Sequence, residues 1–178
     1  MILYFSGTGN SHYVASVISK AIGDDVVSIN ELLKNGNTKS IVSDNKFIFV
    51  TPTYAWRIPR VVEDFIRNNT FEGNNKAYFI MTCGGESGNA IHYLKKLCSE
   101  KKFEFMGLAS IVMPENYVAM FEVPNKEDAQ FIIERANIKI LDIAKLIKNN
   151  EQLPEEEVKA VDKMKSSINP MFYKICVS

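Results

Sequence analysis

Met1-Ile2-Leu3-Tyr4-Phe5-Ser6-Gly7-Thr8-Gly9-Asn10-Ser11 passes from an apolar run into a polar turn with two glycines. Its first five residues are apolar without alternation, the mark of a strand buried on both faces. Gly7 and Gly9 let the chain turn tightly and approach a ligand. From Ser11 a helical stripe follows through Tyr13, Val14, Val17, Ile18, Ala21 and Ile22. The hydroxyls of Ser6, Thr8 and Ser11 and the amide of Asn10 ring the turn, and the free N–H groups of the helix start add partial positive charge. Together they predict a nest for one phosphate. The loop lacks the lysine of GxxxxGK[ST], which a nucleoside triphosphate site needs, and it does not fit GxGxxG.

Outward from this unit the chain alternates. Asp25 to Ile29, Lys46 to Thr51, Ala77 to Thr82 and Phe105 to Met113 read as further strands, the second and third apolar throughout. Helical spacing covers Arg60 to Asn68 behind Pro59, Asn89 to Cys98, and Lys126 to Lys148. Thr38 to Asn45 and Thr70 to Lys76 read as polar loops. Right-handed crossovers then place helices on both faces of a five-stranded parallel sheet, an α/β three-layer sandwich with strand order 2-1-3-4-5. Domain organisation follows as one α/β domain over 1–150 and a C-terminal helix and apolar tail over 151–178. Pro154-Glu155-Glu156-Glu157 predicts a helix start, running through Val158, Val161 and Met164 to about Asn169-Pro170.

In such a sheet ligands bind at the carboxyl ends of the strands, at the switch between the first and third strands. Past the third strand lies Pro52-Thr53-Tyr54-Ala55-Trp56-Arg57-Ile58-Pro59, a proline-stiffened loop holding a Tyr and the single Trp, suited to stacking on a flat heterocycle. The alternative is that Trp56 packs on the following helix. Past the fourth strand lies Thr82-Cys83-Gly84-Gly85-Glu86-Ser87-Gly88-Asn89, where the glycines expose backbone groups to the polar edge of a ring. A phosphate nest, an aromatic wall and a ring-edge reader converge, and FMN carries the matching phosphate, ring and pyrimidine edge. Residues 6–11, 52–57 and 82–85 with Gly88 and Asn89 are therefore the expected cofactor site, with no catalytic and no metal-binding residue assigned. Arg57, if it points inward, would favour a negatively charged reduced ring. Met113-Pro114-Glu115-Asn116-Tyr117 either folds over the site or only connects to the last long helix. His12 and His92 read as solvated or capping residues.

Composition narrows the class. The 178 residues are 46% apolar with 21 basic and 21 acidic side chains, a net charge of zero. That lacks the basic field of a nucleic-acid binder. No CxxC pair exists among Cys83, Cys98 and Cys176, which read as reduced thiols. No run reaches the ~18 apolar residues of a membrane span, so a cytoplasmic protein without membrane contact is expected.

Ser6-Gly7-Thr8-Gly9-Asn10-Ser11 is similar to the phosphate loop of flavodoxins. With residues 52–59, Thr82-Cys83-Gly84-Gly85, residues 113–117 and Ile168-Asn169-Pro170-Met171-Phe172-Tyr173-Lys174, the chain resembles the flavodoxin half of the EFR-type flavodoxin–ferredoxin fusion proteins. The resemblance implies FMN binding and electron transfer, with a ferredoxin or ferredoxin domain as redox partner. Those fusions continue into a ferredoxin domain where this sequence stops. An NAD(P)H-dependent FMN or quinone reductase on the same fold is the competing reading. Flavodoxins are strongly acidic and this chain is neutral. They also often place a Gly in the loop after the third strand, whereas Ala55-Trp56-Arg57 has none, so a positive φ there is expected to be costly. The apolar strip from Ile168 to Val177 is expected to dock a ferredoxin domain or a second subunit, as in a homodimer, and not to serve the cofactor site.

Overall fold

The computed structural model describes residues 1–36, 40–116, 122–155, 158 and 160–170. Their order is β1 (Ile2–Tyr4), α1 (Asn10–Ile22), β2 (Val26–Ser28), α2 (Ile29–Lys34), β3 (Ser40–Ser43), β4 (Phe47–Pro52), α3 (Arg60–Asn68), β5 (Thr70–Gly73), β6 (Lys76–Cys83), α4 (Ala90–Lys101), β7 (Glu104–Val112), α5 (Lys126–Lys148) and α6 (Ala160–Ser167). The main sheet runs β2-β1-β4-β6-β7, and every pairing is parallel. This is the expected flavodoxin-like 2-1-3-4-5 order.

The unbroken apolar runs have a simple cause. Successive strand residues face opposite sides, and both sides are covered. Leu3, Phe49, Phe79 and Met81 pack with Ile66 of α3 and Leu94 of α4 in one layer, while Ile2, Ile48, Ile80 and Tyr78 meet Val14 and Ile18 of α1 and Ile140 and Ile143 of α5 in the other. The first layer is rich in Phe: Phe49 stacks on Phe79 at 5.1 Å, and Phe71 meets Phe47 edge-on at 5.2 Å.

Two expectations are corrected. The segments read as polar loops instead pair as a second, two-stranded parallel sheet of β3 and β5. Each carries one apolar anchor, Ile41 and Phe71, that reaches the Phe-rich core, and Ser40 Oγ donates across the pair to Glu72. The helix expected from Pro154 begins instead at Ala160, because residues 151–155 cover the sheet edge. Leu153 N donates to Met106 O at 2.8 Å, and Tyr78 Oη donates to Glu151 O at 3.0 Å. Gly107, at φ 124° beside a bulge in β7, leaves the room that Leu153 fills. Edge protection here outweighs helix propensity.

Candidate functional site

The carboxyl ends of β1, β4, β6 and β7 bring four loops together. The first loop is shaped by its own hydrogen bonds. Gly9, at φ 106°, takes a conformation that few residues other than Gly accept, and its N–H donates to Ser6 Oγ at 3.1 Å. Asn30 Oδ1 accepts from Ser6 N at 3.0 Å and braces the loop from α2. No side chain caps α1, so the amides of its first turn face the loop, and space is open where a Gly9 side chain would stand. The hydroxyls serve otherwise than the sequence suggests. Ser11 Oγ is buried against Thr82 Oγ1 at 2.9 Å, and Thr8 Oγ1 accepts from Asn116 Nδ2. Asn10 Nδ2 donates to Pro114 O at 3.0 Å. Anion donors in this cradle are therefore mainly backbone N–H groups with the Ser6 hydroxyl, while Thr8, Asn10 and Ser11 fasten it to its neighbours.

The second loop is a tight turn. Tyr54 N donates to Arg57 O at 2.8 Å and Arg57 N to Tyr54 O at 3.3 Å. Between them Ala55 and Trp56 sit at φ 45° and 59°. Two positive φ values make this a type I′ turn. Absence of Gly thus does not keep the backbone out of the left-handed region. Tyr54, the more exposed aromatic, points its hydroxyl toward Gly7. Trp56 packs on Gly88, where a methyl would lie 2.8 Å from Trp56 Cβ, and lies 5.9 Å beneath Lys165 Nζ. Arg57 does not point inward: its guanidinium lies 3.4 Å above the Tyr93 ring, and Nε donates to Ser166 O at 3.1 Å. Thr53 N donates to Thr82 O at 2.8 Å, tying this loop to β6. The Thr53 hydroxyl is buried without a hydrogen-bond partner among the described residues, an open position that a ligand or water can complete.

Gly84 and Gly85 are exposed in the third loop. The Glu115 carboxylate lies directly over Gly84, and a methyl there would overlap it. The loop after β7 thus folds over the site through Pro114, Glu115 and Asn116; Tyr117 falls outside the described residues. Cys83 is half-buried with its thiol directed at Ile111 O, and Asn89 N donates to Ser166 Oγ at 2.8 Å. His12 stacks on Tyr4 at 4.8 Å and His92 lies edge-on to Tyr93 at 5.3 Å. Sequence reasoning missed Asn30, Ser166 and Asn169, whose roles depend on contacts across 24 to 115 residues of chain. Among the described residues no group of His, Cys, Asp and Glu could hold a metal ion, and no helix is long and apolar enough to cross a membrane.

The uncapped start of α1, the Tyr54–Arg57 turn and the glycine loop thus stand at the switch point of a doubly wound sheet. The model of the flavodoxin domain family matches residues 1–137, and the chain belongs to that family. General stress protein 14 of Treponema denticola, solved in complex with FMN, has the same fold: TM-score 0.55 at 8% identity, over 82% of this chain and 97% of its own. The two-electron reduced flavodoxin of Megasphaera elsdenii aligns at 19% identity over 78% of this chain and 99% of its own, with a TM-score of 0.45. No curated protein matches the sequence.

Proposed function

We propose that the protein binds FMN at this switch point and passes electrons between partner proteins. The observation that carries the reading is the convergence of the uncapped start of α1, the Tyr54–Arg57 turn and the Gly84-Gly85 loop at one switch point. The amides of the β1 loop and α1 would hold the phosphate, since helix dipole and oriented N–H groups favour a dianion without a lysine. Tyr54 would face the ring, and Gly84 and Gly85 would offer backbone groups to its pyrimidine edge. FMN supplies the electron-transfer chemistry; the protein sets its energy through hydrogen bonds and nearby charge. Glu115, which lies over Gly84, would set a carboxylate near a ring bound there and so would disfavour added negative charge on it. The EFR-type resemblance nominates a ferredoxin as the partner.

The test is a visible spectrum of purified protein reconstituted with FMN, followed by anaerobic mixing with NADH or NADPH. A bound-flavin spectrum that neither nucleotide bleaches, but that reduced ferredoxin does, supports the carrier. Rapid bleaching by a nicotinamide nucleotide would make the protein a reductase instead.

A further inference from the structure

Helix α6 lies beyond the residues that the family model matches, yet it grips both ring-side loops. Ser166 is fully buried. Its hydroxyl accepts from Asn89 N at 2.8 Å in the β6 loop and donates to Trp56 O at 3.3 Å in the β4 turn. Its carbonyl accepts from Arg57 Nε at 3.1 Å. Asn169, 2% exposed, donates Nδ2 to Tyr54 O at 2.9 Å and to Ala55 O at 3.3 Å. Lys165 pairs with Glu86 of the β6 loop. Three successive carbonyls of the turn, those of residues 54, 55 and 56, thus end on Ser166 of α6 and on Asn169 just past it.

These contacts coincide with the backbone strain. Ala55 and Trp56 hold positive φ without being Gly, a state that persists only where surroundings over-determine it. Types I′ and II′ differ in the orientation of the central peptide, and here that peptide's carbonyl is Ala55 O, one of the two that Asn169 holds. The segment from α6 through Asn169 is also inverted in polarity. Asp162, Ser166 and Asn169 are buried, while Val161, Met164 and Ile168 are exposed. Its seat is therefore made of directed hydrogen bonds rather than a greasy interface, and such bonds exchange with water at little net cost. The expectation that Ile168 and the residues after it stand apart from the site is corrected at Asn169; residues 171–178 fall outside the described residues.

We propose that α6 is a latch on the ring-side turn, with Ser166 and Asn169 as positioning residues that fix the central peptide of Tyr54–Arg57 and hold Trp56 against Gly88. When the latch lifts, the turn relaxes and a ring bound beside it loses its wall. The part of this that concerns cofactor affinity rests on the FMN reading above; the part that concerns the turn does not.

Trp56 is the only tryptophan, so its emission reports the turn directly in the cofactor-free protein. The variants are Asn169→Asp, which keeps the shape but sets oxygens against two carbonyls, and Ser166→Ala. The latch predicts a red-shifted Trp56 emission in both, with far-UV circular dichroism unchanged, and FMN affinity at least about fivefold weaker, the worth of one hydrogen bond. Ala55→Gly in the Asn169→Asp background should not recover the affinity, because both turn types keep a positive φ at that position and Gly there favours the flipped type II′. Wild-type emission and wild-type affinity in both variants overturn the latch, as does full recovery by Ala55→Gly. Should Asn169→Asp fail to fold, Ser166→Ala decides by the same readouts. If wild-type protein binds no FMN, the functional reading falls, and the emission shift alone then decides the latch.

Discussion

Ala55 and Trp56 show at the scale of single residues how local preference yields to distant contacts. A left-handed conformation costs a non-Gly residue roughly 1–2 kcal/mol. Replacing Ala by Gly at an ordinary position loses about 0.5–1 kcal/mol. The two effects oppose each other at Ala55, so Ala55→Gly should leave the urea midpoint unchanged or raised; a loss above about 1 kcal/mol would show that the turn is unstrained. That this loop stands at the carboxyl end of a central strand was legible in the apolar run before it. Its backbone state was not, since the groups that stabilise it, Ser166 and Asn169, lie more than a hundred residues away. Cys98 gives a second prediction. Burial pushes its thiol up to about 12, from the 9.0 of an exposed one. A raised folded-state pKa contributes stability that is complete below about pH 9 and is lost as pH rises through about 12. Over that window unfolding should become easier by up to about 1.4 kcal/mol per pH unit, and Cys98→Ala should flatten the profile. The same burial should leave Cys98 unalkylated by iodoacetamide in folded protein while unfolded protein reacts; equal labelling in both would contradict its placement.

At the scale of elements, strands with continuous apolar runs and helices with clean stripes were readable, because two-sided burial and one-sided burial write different periods into sequence. β3 and β5 were not, for each is four residues long with a single apolar side chain reaching the core, Ile41 buried and Phe71 half-buried, while Val42 is exposed. The segment 151–155 was misread for a related reason. Pro154 and Glu155 carry a helix-start signal, but Leu153 finds the edge of β7 first. Gly107 permits that contact: a methyl there would stand 2.6 Å from Leu153 Cβ and 3.1 Å from its backbone, at a φ of 124°. Gly107→Ala should therefore destabilise the fold by about 2 kcal/mol or more through overpacking and strain, and speed hydrogen exchange at Leu153 N. Wild-type stability and unchanged exchange would show that the edge cover does not depend on this glycine.

For the whole molecule, strand order brings the loops after β1, β4, β6 and β7 to one end of the sheet, which is why the expected site could be placed from the order of strands alone. What composition concealed is how the site is closed. Asn10, Thr8 and Asn116 join the first loop to the last, Thr53 joins the second to the third, and α6 spans the second and third. On the FMN reading, the start of α1 recognises a phosphate by backbone donors. Titration of the cofactor-free protein with FMN and with riboflavin, followed by quenching of flavin fluorescence, tests it most directly. Because each hydrogen bond to a charged group contributes about 1.5–3 kcal/mol, FMN should bind one-to-one and at least about tenfold more tightly than riboflavin. Equal affinity for the two, or no quenching by FMN, would contradict the claim.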